Sequence, residues 1–198
     1  MSDIRKMYKT IMADNFPPEM TITFGDQKLL YRKRAWKLAD EKTGLLCSSF
    51  DLEGKPCDGP EGSTIWAVAH CLQLVDPTLA ADQYARAKKY LSRTVCGFAF
   101  SREWPESWEG PVDVDSGPIV AGLQVSAGAS GLAFVGASAF GDRDYLRGLL
   151  ATLYMSAFPV RRGGELRFCA SNQVGDAVLL YAMTLGPMWH EIQRRGRL

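Results

Sequence analysis

The sequence predicts a mainly α-helical protein of stacked αα-hairpins, a partial α/α toroid, with a small β-hairpin near the N-terminus. Three observations carry this expectation. From Ser63 onward, strongly apolar segments alternate with amphipathic ones at helical spacing. Asp-Pro and Gly-Asp pairs stand where those segments begin or break. The strand signals gather before Gly44, where a Gly25-Asp26 turn separates two β-rich runs.

Along the chain, residues 4–12 fit a short helix stopped by Asn15-Phe-Pro-Pro18, and residues 20–24 and 28–36 fit the two strands of the hairpin. Residues 40–44 read as a turn or linker, which divides the chain into an N-terminal segment, 1–44, and a helical domain, 45–198. Residues 64–75 are apolar enough for a buried helix. Asp76 then caps, and Pro77 opens, an amphipathic one. Ser116-Gly-Pro118 is expected to open a second apolar helix reaching about Phe140. Gly141-Asp142 breaks it, and residues 143–158 are again amphipathic. Residues 159–164 read as a loop, and Gly175-Asp176 opens a third apolar helix. Apolar helices inside, covered by amphipathic ones, are what stacked αα-hairpins produce.

Composition sets the function classes. The 198 residues are 46% hydrophobic and 23% charged, which is globular and not disordered. Lys and Arg number 23 against 22 Asp and Glu, a net charge of +1. That balance argues against binding nucleic acid or an anionic membrane through the overall field and leaves local patches open. No run of about 18 apolar residues exists to span a membrane, and residues 1–16 hold no apolar signal core, so a cytoplasmic location is expected. Five cysteines (Cys47, Cys57, Cys71, Cys96, Cys169) without a CxxC, and two histidines, point to reduced thiols and to no metal or cofactor.

Loops joining the hairpins would gather on one rim, bringing together Asp58 and Glu61, Asp113 and Asp115, and Asp176 at the starts of the apolar helices. Asp113 and Asp115, two residues apart, would sit about 6.6 Å apart along an extended chain. That spacing suits a general acid and base about a sugar. Equally, Asp115 or Ser116 caps the helix that Pro118 begins. Trp104 and Trp108, with Glu103, Glu106 and Glu109 interleaved, fit either a sugar-stacking platform or packing between hairpins. His70, between Trp66 and Leu74 at i−4 and i+4, reads as a core histidine.

The stretches GPEGSTIWAVAHCLQLVDPTLAADQYARAKKYL (59–91) and WEGPVDVDSGPIVAGLQVSAGASGLAF (108–134), with Gly175-Asp176, resemble an uncharacterised branch of the α/α-toroid proteins of the six-hairpin glycosidase-like kind. The resemblance spans residues 45–198 and implies acidic residues at the mouth formed by the inner-helix ends, hence Asp113 or Asp115. The chain has room for about three hairpins, half of such a ring, so the likeness also implies an open apolar edge to be covered by the N-terminal section, by a second copy or by another chain. Separately, IRKMYKTIMADNFPPEMTITFGDQKLLYRKRAWKLADEKTG (4–44) resembles the opening segment of a formyltransferase-like protein of purine biosynthesis, from which no catalytic residue carries over.

Two readings of function lead, ahead of a third in which the protein is a ligand-binding remnant related to purine formyl transfer. In one, the protein binds or processes carbohydrate as a glycoside hydrolase-like enzyme, with Asp113 and Asp115 catalytic and Trp104, Trp108, Glu61, Glu109 and Asp176 holding the sugar. In the other, it is a non-enzymatic interaction or scaffold protein that oligomerises through its open helical edge.

Overall fold

A computed structural model describes residues 38–51, 55–74, 76–110, 112, 117, 119–120 and 122–196. They belong to one compact unit, Leu38–Leu198. The helix and hairpin expected before Trp36 lie outside the described residues.

Among the described residues the fold is mixed α and β, which corrects the mainly helical expectation: five helices stand beside two antiparallel sheets. Helix α1 (Gly62–Leu72) and helix α2 (Pro77–Tyr90) form the first hairpin, with Asp76 capping α2 at the Leu79 amide and Pro77 in its first turn. Strands β1 (Ser92–Val95) and β2 (Phe98–Ser101) follow at once. Short strands β3 (Ile119–Val120) and β4 (Val125–Ser126) complete a sheet in the order β1-β2-β4-β3. Helix α3 (Ala127–Ala139) and helix α4 (Arg143–Ser156) form the second hairpin, again followed by a β-ribbon, β5 (Pro159–Arg162) and β6 (Glu165–Phe168). Helix α5 (Gln173–Gly196) comes last. The repeating unit is therefore an αα-hairpin plus a β-hairpin.

Both β-hairpins turn on two residues in the left-handed region. Cys96 and Gly97 have φ of 49° and 84°, and Gly163 and Gly164 have 60° and 85°. Their flanking pairs, Val95 with Phe98 and Arg162 with Glu165, leave the two-residue loop whose twist matches paired strands. The segment 159–164, expected as a loop, thus supplies a strand and its turn. The second apolar helix also starts later than expected, at Ala127. Gly117, Gly122 and Gln124 have positive φ, which a continuous helix from Pro118 excludes, and Ser126 is the N-cap, accepting from the Ala129 amide at 3.0 Å.

Buried Trp66, Ile65, Leu91, Leu149 and Leu185 anchor the core. Helices α1 and α3 run parallel. A Cβ on Gly62 would sit 3.0 Å from that of Ala129, and one on Gly136 would sit 3.0 Å from the Trp66 ring, so both helices advance together. Helix α4 lies on β2 so closely that a Cβ on Gly148 would come within 2.6 Å of Ala99 Cβ, while the Thr152 hydroxyl donates to the Ala99 carbonyl at 2.7 Å. The stretch before α1 is stitched to α2. Leu45 is buried, and Gln83 receives the Leu46 amide and donates to the Gly44 carbonyl.

Candidate functional site

Asp113 and Asp115 lie outside the described residues. The other residues singled out from the sequence are placed separately. Glu61 stands just before α1, where its carboxylate accepts from the Thr64 hydroxyl at 3.5 Å. Asp176 is exposed in the first turn of α5. Glu109 is exposed and pairs with Lys42 at 2.8 Å, the ammonium holding its carboxyl below the usual range. Trp104 is buried, only 9% exposed. The Trp108 ring lies between two glycines: a Cβ on Gly59 would fall 2.3 Å from it and one on Gly110 2.2 Å. Trp104 is therefore closed to a stacking sugar, while Trp108 is half-buried and packs beside the Gly59 and Gly110 backbone.

The residue of this stretch with the most demanding environment is Glu103, 2% exposed. The Ser63 amide and hydroxyl both donate to its Oε1, at 3.0 and 2.6 Å, and the Ser126 hydroxyl donates to its Oε2. Ser63 lies in the first turn of α1 and Ser126 caps α3, so one carboxylate closes the N-termini of two parallel helices. Anions belong at these positive ends, which ties Glu103 to architecture. Beneath it, Trp66 Nε1–H donates to Ser101 Oγ at 2.8 Å, and the Ser101 hydroxyl donates to the Arg102 carbonyl.

A cleft among the described residues lies elsewhere, between α1 and α5 across α3. It encloses about 530 Å³ and is lined mainly by Ala67, Leu132, Val135, Val174 and Val178, with His70 and Tyr181 as its polar pair. His70 Nε2 and the Tyr181 hydroxyl are 2.8 Å apart, and Nδ1 faces Gln73 Oε1 at 3.4 Å. Gln73 Oε1 can only accept, so Nδ1 carries the proton and Tyr181 donates to Nε2. Burial lowers the His70 pKa, which the Gln73 contact only partly offsets, so the ring is neutral at pH 7. Burial also raises that of Tyr181. The two ring nitrogens of the neutral His70 are thus engaged by Gln73 and Tyr181, and the rest of the cleft wall is mainly apolar.

The cleft opens onto the outer face of α5. Leu179, Ala182 and Leu185 face the core, whereas Val174, Leu180 and Met183 stand 72%, 64% and 70% exposed. Asp176 is the one charged residue between 173 and 185. Among the described elements α1 is covered by α2 and α3 by α4, but α5 has no covering helix. Sequence reasoning placed His70 in the core and missed Tyr181, which is 111 residues away. No helix among the described residues is long and apolar enough to cross a membrane, and they hold no cluster of His, Cys, Asp and Glu fit for a metal ion. No protein family and no curated protein matches this chain.

Proposed function

We infer that this is a non-enzymatic interaction protein whose partner is a second copy of itself, docked on the outer face of α5 and the adjoining cleft. The observation that carries this reading is the exposed face of α5 over residues 173–185, which holds one charged residue and has no covering helix among the described residues, where each hairpin's apolar helix otherwise receives an amphipathic partner. Apolar patches larger than a few hundred Å² on a soluble protein mark interfaces. A second copy is favoured over a partner of different chemistry because the face carries no block of like charge. Asp176 sits in the first turn of α5, about one and a half helical turns from Tyr181. A self-contacting surface must avoid setting like charges against each other, and this one does. The carbohydrate reading gains no comparable support, since Trp104 and Trp108 serve packing.

Sedimentation velocity of the wild type and of Leu180→Glu/Met183→Glu tests the reading. A dimer whose dissociation moves to much higher concentration in the variant, with unchanged helicity, supports it. A monomer at all concentrations, or a dimer indifferent to the variant, overturns it.

A further inference from the structure

We propose that the β5–β6 ribbon and the end of α4 form a peripheral docking surface for an anionic lipid bilayer. The ribbon has four paired residues per strand and no third strand among the described residues, whereas its counterpart β1–β2 is extended by β4 and β3. A lone two-stranded ribbon is only marginally stable in water. This one nevertheless keeps apolar side chains outside. Val160 and Leu166 are exposed on it, and Tyr154 and Met155 are exposed on the last turn of α4. Between them Phe158 holds φ of 48°, a left-handed conformation costly for a bulky residue, and its ring is 66% exposed. An aromatic kept in a strained backbone position without burial has its use outside the chain.

The charge pattern selects the occupant. The whole chain is nearly neutral, but the ribbon itself, residues 159–168, holds Arg161, Arg162 and Arg167 against the single acid Glu165. Arg167 pairs with Glu165 and Arg147 with Asp144, while Arg161 and Arg162 have no ion pair among the described residues. The strand register sets Arg161 opposite Leu166 and Val160 opposite Arg167, so apolar and cationic groups alternate on both faces of the ribbon. Shallow apolar insertion flanked by arginines that reach phosphates is what an anionic bilayer interface accepts. A nucleic acid would take the arginines and the aromatic rings but leave Met155, Val160 and Leu166 in water.

The test is co-sedimentation of the full chain with vesicles of phosphatidylcholine alone and of phosphatidylcholine with phosphatidylserine. Binding to the anionic vesicles that weakens with salt, and that drops roughly tenfold or more in Arg161→Glu/Arg162→Glu, is the expected result. Phe158→Asp/Met155→Asp should abolish it, while Arg93→Glu, on β1, should leave it intact. All altered side chains are exposed, so unchanged thermal midpoints confirm that the variants fold. Absence of vesicle binding in the wild type, binding indifferent to both ribbon variants, or capture by single-stranded DNA with none by vesicles would each overturn the proposal.

Discussion

Replacing Glu103 with alanine strips three hydrogen bonds from the junction of α1 and α3. The Ser63 amide, an N-terminal helical donor, loses its acceptor in a buried site, which costs about 1–3 kcal/mol. Loss of an anion from two helix N-termini adds about 0.3–1 kcal/mol at each. With the cavity left by the side chain, the expected destabilisation is about 3–5 kcal/mol, or a midpoint roughly 10 °C lower for a unit of this size. Glu103→Gln keeps the acceptor facing Ser63 and the side-chain volume, but it turns an amide toward Ser126. It should cost about 1–2 kcal/mol, less than the alanine variant. Urea unfolding at fixed protein concentration is the assay, because self-association would shift the apparent stability. Ser126→Ala combined with Glu103→Ala should cost less than the two separately, since they share one bond. A loss below about 1 kcal/mol in Glu103→Ala, or strict additivity with Ser126→Ala, would refute the double-cap account.

Three further outcomes follow from the packing and the titrating groups. Gly148→Ala should destabilise by about 1–3 kcal/mol, measured by thermal unfolding, because its Cβ meets Ala99 at 2.6 Å. Cys96→Asn should stabilise by up to about 1 kcal/mol, since asparagine tolerates the left-handed region that Cys96 occupies with φ of 49°. His70 binds its proton less readily folded than unfolded, because burial lowers its pKa from 6.5, the Gln73 contact only partly offsetting this. The unfolded chain therefore takes up more protons below about pH 6.5, and stability falls as pH drops from there toward the folded pKa. That part of the acid-side loss should vanish in His70→Phe, read from thermal midpoints between pH 7 and 5.

Helix starts with explicit chemistry were legible in the sequence. Asp76-Pro77 opens α2, and Asp142 caps α4 at the Tyr145 amide, as their side chains and position allow. The start of α3 was not, because Pro118 imitates a first-turn proline while Gly117, Gly122 and Gln124 lie in turns whose positive φ has no sequence marker beyond glycine itself. Both described β-hairpins escaped for a related reason. Strands of four residues show too few alternations to register a period, and Cys96 is an uncommon partner for a turn glycine, although Gly163-Gly164 carried the signal openly. Glu103 looked like one acid among several, and only the fold reveals that two serines from distant helices converge on it. A helix as apolar as α5 reads as buried from sequence, and whether a neighbour is present to bury it is a tertiary fact.

Among the described residues α5 has no covering helix, and under the proposed self-association this bears on how far assembly would go. Helices α1 and α5 both pack on α3 and meet through the His70–Tyr181 contact, and α1 is also covered by α2. Copies joining head to tail would need a vacant flank on α1 to receive the next α5, and repeated addition of that kind would build a filament. Under the proposed self-association, an arrangement with α5 against α5 about a twofold axis would use up the exposed face on both chains at once, and growth would end at two copies.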